Sequence, residues 1–90
     1  MKIKNGFVLR QVAGNYIIIG TGDEAVDFNG MITINETGAF LWKLLEKEIS
    51  REELAEKMLS EYDVDRDTAE ADIDEFIEKL RSSKLLSEDE

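Results

Sequence analysis

The sequence predicts a single α+β domain over residues 1–90, with a three-stranded antiparallel sheet in residues 6–35 and a three-helix bundle in residues 36–84. Two observations carry this prediction. Short apolar runs separated by glycines fill the first third of the chain, which is typical of strands joined by turns. After Asn35 the apolar residues recur every three to four positions, the period of amphipathic helices.

Three apolar runs indicate the strands: residues 7–9, 16–19 and 31–34. Gly14 and Asn15 separate the first two runs and fit a two-residue hairpin turn that begins with glycine. This turn predicts that Val12 pairs with Ile17. A second hairpin is expected at Asn29-Gly30, because this dipeptide is the strongest short hairpin signal, and it would fold residues 25–28 back against residues 31–34.

Three polar residues mark the starts of the helices. Asn35 is a favourable N-cap, Ser50 with Glu53 three residues later forms a capping box, and Asp65 caps the third helix. The apolar stripes expected to face the core are Phe40, Leu41, Leu44 and Leu45 with Trp42 at the flank; Leu54, Ala55, Met58, Leu59 and Tyr62; and Ala69, Ile73, Phe76, Ile77 and Leu80. Leu85 and Leu86 are expected to close over the bundle.

The net negative charge lies in the helical part of the chain, residues 36–90. The chain has 21 acidic and 11 basic residues, a net charge of −10, and residues 1–35 are balanced. Such a surface repels phosphate backbones and anionic membranes. Cysteine is absent and no apolar run approaches the ~18 residues of a membrane span, so we expect a cytoplasmic protein that does not contact a membrane.

The chain lacks residues that catalysis and calcium binding usually require. The chain has no histidine and no cysteine, so the most versatile proton carrier and the most reactive nucleophile are missing, and we expect no enzyme activity. Asp63, Asp65 and Asp67 resemble the opening of a calcium loop, but Thr68 replaces the required glycine and Asp74 replaces the bidentate glutamate. These aspartates are better explained as caps of the third helix, and no metal or cofactor is predicted.

Three helices packed on a small sheet are winged-helix-like, a class in which many members place a recognition helix on DNA. Here that helix, residues 65–83, carries seven acidic and three basic residues. Because neutralisation of phosphates supplies much of DNA affinity, this charge argues against nucleic-acid binding. A winged-helix transcription regulator remains the alternative function.

The third strand is a candidate edge for binding an extended peptide. Met31, Ile32, Thr33 and Ile34 contain no lysine or proline that would protect the edge, and a guest strand could pair with their main-chain groups. Two alternatives stay open on pattern alone: the apolar residues are simply core, or the edge serves a homodimer or scaffold.

Three segments of the chain closely resemble the PqqD-like family, which is named after a pyrroloquinoline quinone biosynthesis protein. They are residues 7–14, residues 25–42, and the stretch from Tyr62 through Phe76-Ile77. The middle segment, Ala25-Val26-Asp27-Phe28-Asn29-Gly30 and onward to Trp42, is the most specific of the three.

The resemblance implies a recognition element for ribosomally made, post-translationally modified peptides. Such an element binds the leader segment of a precursor peptide and presents the precursor to a modifying enzyme, often a radical S-adenosylmethionine protein. The leader would lie as an added strand on residues 31–34, in a groove that the third helix closes with Asp72, Phe76 and Lys79. The resemblance further implies a stand-alone member with no attached enzyme domain.

Overall fold

The fold is known from a computed structural model that describes residues 1–21 and 32–87. It is α+β, as predicted, with a three-stranded antiparallel sheet and three helices in the described residues. The elements are β1 (Lys2–Ile3), β2 (Phe7–Val12), β3 (Asn15–Gly20), β4 (Ile32–Ile34), α1 (Glu36–Leu45), α2 (Arg51–Glu61), α3 (Arg66–Ser82) and β5 (Leu86–Ser87).

The hairpin of β2 and β3 turns one residue earlier than the sequence predicts. Ala13 and Gly14 form the turn with φ angles of 53° and 82°, the left-handed pair that a type I′ turn requires. Val12 therefore pairs with Asn15, and the predicted pairing with Ile17 is wrong. The observed register is favoured because it places the fully buried Ile18 opposite Leu9, whereas the predicted register would place Ile18 opposite Gln11.

Strand β4 completes the sheet in the order β2-β3-β4. It pairs antiparallel with β3, with Thr33 opposite Ile17 and Ile34 opposite Tyr16. Within residues 1–21 and 32–87 no strand pairs with the other side of β4, so β4 is an edge of the described sheet. Met31 and the predicted hairpin at Asn29-Gly30, with its partner strand at residues 25–28, lie outside the described residues.

The three predicted helix caps are confirmed. The Asn35 side chain accepts a hydrogen bond from the Gly38 N–H at 2.7 Å, and Ser50 and Glu53 form the reciprocal bonds of a capping box. Asp65 accepts from the Thr68 N–H at 2.8 Å, which is the capping role predicted in place of calcium binding. In the described part of the chain, no three acidic side chains are grouped so as to hold a metal ion.

The core lies between the helices and one face of the sheet. All five residues of the predicted α3 stripe are buried, which confirms that face. In α1 the prediction is partly wrong: Trp42, expected at the flank, is fully buried, whereas Phe40 and Leu44 are half-buried. The α1 face is rotated because Phe40 packs edge-to-face on Tyr62, at 5.3 Å between ring centroids, on the rim of the core.

A second, two-stranded sheet joins the two ends of the described chain. β1 pairs with β5 through Ile3 opposite Leu86. Leu85 and Leu86 are both buried, as predicted, but strands of two residues leave no alternating pattern from which the sheet could be predicted. None of the helices that the structure describes is long and apolar enough to cross a bilayer.

A groove between the edge strand and the third helix

A groove with a volume of about 220 Å³ runs between β4 and α3, and the first turns of α1 close its base. The cap at Asn35 fixes this geometry, because β4 ends at Ile34 and α1 begins at Glu36 with one linking residue. The residues that line the groove are Thr33, Ile34, Asn35, Thr37, Gly38, Leu41, Asp72, Glu75, Phe76 and Lys79.

The structure brings together five of the seven residues proposed from the sequence. Thr33 and Ile34 from β4, and Asp72, Phe76 and Lys79 from α3, all line the groove. Ile32 lies on β4 and packs against the core without lining the groove. Met31 falls outside the described residues.

The remaining lining residues were missed from the sequence. Thr37 and Gly38 lie four and three positions before Leu41, so both are on the same side of α1 as Leu41, directly after β4. That spacing was the available signal. Glu75 lies three residues after Asp72 on α3, and only the rotation of the helix in the fold shows that it belongs to the groove.

The floor of the groove is apolar and tightly packed. Ile34 is 6% exposed, Leu41 1% and Phe76 7%. Gly38 lies at their junction: a Cβ atom added there would stand 3.2 Å from the Ile34 Cβ and 3.2 Å from the Phe76 ring. The floor is therefore a preformed part of the core, and Ile34 and Phe76 each keep a small exposed surface.

The main chain of β4 is open to a donor from the groove. The Lys79 Nζ donates a hydrogen bond to the Thr33 carbonyl oxygen at 3.4 Å. In an antiparallel edge strand, alternate residues direct their N–H and C=O groups away from the neighbouring strand and leave them without a strand partner. A side-chain amine now occupies one such acceptor, and a main-chain N–H of a guest strand would make a shorter and better-aligned bond.

Two pairs of acidic residues lie on different sides of α3. On the side that meets α2, Asp74 and Glu70 pair with Arg51, and the Asp74–Arg51 contact is 2.7 Å. The hydrogen bond from Arg51 lowers the pKa of Asp74, and the same bond raises the pKa of Arg51. Asp72 and Glu75, which face the groove, have no ion-pair partner among the residues that the structure describes.

Comparison with known proteins gives a family and a fold. The family model of coenzyme PQQ synthesis protein D (PqqD) matches residues 16–86. No curated protein matches the chain. Among solved structures, TbiB1 in complex with the TbiA(beta) leader peptide superposes with a TM-score of 0.79 at 26% identity, covering 100% of this chain and 99% of TbiB1. Lasso peptide synthetase B1 complexed with the leader peptide superposes with a TM-score of 0.71 at 21% identity, covering 93% of both chains. Since the family model spans well over half of its length, this chain belongs to the PqqD family.

Proposed function

We propose that this protein is a non-catalytic recognition element that binds the leader segment of a ribosomally made precursor peptide by strand addition to β4. The observation that carries the proposal is the groove itself, which combines an edge strand with an apolar floor. TbiB1, which matches this chain over its full length, is bound to a leader peptide, and this supports the same class of ligand here.

Binding by strand addition assigns separate roles to the main chain and the side chains. The guest main chain pairs with Thr33, and the Lys79 amine leaves the Thr33 carbonyl as it does so. Alternate guest side chains then point toward α3 and rest on the exposed part of Phe76. Because the edge and the floor are preformed, the ordering cost falls mainly on the guest peptide.

Presentation to a modifying enzyme completes the proposal. The domain holds the leader, and the rest of the precursor extends toward an enzyme that acts on it. A radical S-adenosylmethionine protein is the enzyme class that we propose, on the ground of the family resemblance. The acidic α3 disfavours the alternative of a DNA-binding regulator, and we expect no gel shift with random duplex DNA at physiological salt.

The test is an NMR titration of the full chain with the precursor peptide encoded nearest to it. We expect the largest amide shifts at β4 and on the groove side of α3, around Asp72, Phe76 and Lys79. Shifts confined to α2, or no shifts at all, would contradict the proposal. Sedimentation at the same concentration tests whether the free protein is a homodimer that pairs through β4, because such a dimer would already occupy the edge.

A matched pair of variants isolates the main-chain contribution. Thr33→Pro removes the main-chain N–H at the exposed centre of β4, whereas Thr33→Val keeps the N–H and removes only the hydroxyl group. We expect binding to be lost in the proline variant and retained in the valine variant. Fluorescence of the buried Trp42 reports whether both variants are folded.

A further inference from the structure

We infer that the groove selects a leader segment with an apolar residue and, two positions along the strand, a lysine or arginine that pairs with Asp72 and Glu75. The inference rests on the proposed function and specifies which peptides the site takes. Both carboxylates line the groove beside the apolar floor at Phe76.

These two carboxylates are available to a cation of the guest peptide. Three other acidic residues of α3 are paired: Glu70 and Asp74 with arginines of α2 and α3, and Glu78 with Arg81. Asp72 is half-buried and Glu75 is exposed, and neither has an ion-pair partner in the part of the chain that the structure describes.

The groove has fewer cations than carboxylates, and this holds also after a guest strand has displaced the Lys79 amine from the Thr33 carbonyl. Lys79 is the basic residue among those that line the groove, and its amine donates to the Thr33 carbonyl rather than to a carboxylate. The groove therefore has two negative charges and one positive charge beside an apolar floor. A guest with an additional cation at the Asp72 end balances this arrangement.

The spacing of residues along one face of α3 matches the spacing along one face of an extended peptide. Asp72 lies four residues before Phe76, a rise of about 6 Å along the α3 axis. Side chains on one face of an extended peptide repeat every two residues, about 6.6 Å apart. A guest strand that runs along α3 and seats one residue on Phe76 therefore has its same-face neighbour beside Asp72. Lys79 contacts Thr33, and Phe76 and Ile34 both lie against Gly38.

The test is selection from a displayed library of random 12-residue peptides on the immobilised full chain. On the wild type we expect enrichment of Lys or Arg two positions from an apolar residue. Replacing that basic residue by Gln in an enriched peptide should weaken binding about two- to fivefold at low salt, the range of exposed ion pairs. The effect should shrink at 0.5 M salt, since screening then acts within a few ångströms.

The double variant Asp72→Asn/Glu75→Gln removes both charges with little change in shape, and Glu56→Gln/Glu61→Gln removes two exposed charges of α2 outside the groove. We expect the basic preference to disappear in the first variant and to persist in the second. If the enriched peptides show no basic preference, or if the preference survives in Asp72→Asn/Glu75→Gln, this inference is wrong but the proposed function still stands. If no peptide is enriched on the wild type, or if enriched peptides bind Thr33→Pro and Thr33→Val equally, the proposed function fails as well.

Discussion

Replacing Gly38 with alanine tests how closely the groove floor is packed. A Cβ atom at this position would stand 3.2 Å from each of three atoms, which belong to Asn35, Ile34 and Phe76. Comfortable carbon–carbon contacts are about 3.5–4.0 Å, so each neighbour must move by several tenths of an ångström. The Asn35 and Phe76 side chains can rotate, but the Ile34 Cβ is fixed to the main chain of β4.

The expected cost follows from two opposing terms. Alanine in place of glycine within a helix stabilises by up to about 1 kcal/mol. Overpacking a tight interior typically costs about 1–3 kcal/mol. We therefore expect Gly38→Ala to lower the free energy of unfolding by about 1 kcal/mol, which corresponds to a fall in Tm of about 4–8 °C for a domain of this size. Because Gly38 lines the groove, peptide binding should also weaken by about fivefold, or about 1 kcal/mol.

Urea unfolding followed by fluorescence of Trp42, the single tryptophan, measures the stability change. Gly14→Ala is the matched control: its φ of +82° makes alanine costly by about 1 kcal/mol, but no atom lies within 4 Å of the added methyl group. The control should lose similar stability and keep its affinity for peptide. A Gly38→Ala variant that is more stable than the wild type and binds peptide equally well would refute the packing argument.

Three further predictions concern the helices. Asn35→Ala removes the cap that accepts from the Gly38 N–H, and we expect a loss of about 1 kcal/mol in urea unfolding, whereas Asn35→Asp should retain most of the stability. The hydrogen bonds from Thr68 lower the pKa of Asp65, so the charged carboxylate stabilises the folded protein. This stabilisation is complete above the pKa of Asp65 in the unfolded chain, and it is lost as the pH falls through the lower pKa of the folded protein. The stability difference between wild type and Asp65→Asn should therefore shrink below about pH 4 in thermal unfolding, and a difference that stays constant down to pH 2 would contradict this. Trp42→Phe should lower the free energy of unfolding by less than about 2 kcal/mol, because it also removes a buried indole N–H that has no hydrogen-bond partner among the residues that the structure describes. Unfolding followed by circular dichroism measures this change, and a loss of about 4 kcal/mol would be evidence against the offset.

The helices could be predicted from the sequence because their signals are local. The caps at Asn35, Ser50 and Asp65 each depend on residues within three positions, and the α3 stripe repeats over about three turns without interruption. The position of Trp42 could not be predicted in the same way. Whether a residue beside an apolar stripe is core or rim depends on the elements that pack from both sides.

The sheet was less predictable because its pairing is not local. Glycine at position 14 gave the turn to within one residue, but Ala13 adopts a positive φ that its side chain does not favour. The register is decided by which residue lies opposite Ile18 in the assembled core. The same reasoning applies to the candidate site: residues 31–34 could be proposed as a pairing edge because they lack lysine and proline, but Glu75 and the α1 residues join the groove only through the packing of α1 and α3.

The most direct test of the central claim is amide hydrogen exchange of residues 32–34 in the free protein and at saturation with the precursor peptide. A free edge leaves an outward N–H exposed to solvent, and pairing with a guest strand protects it. We predict that at least one rapidly exchanging amide of β4 becomes strongly protected in the complex. Saturated binding with unchanged exchange throughout β4 would show that the peptide lies elsewhere.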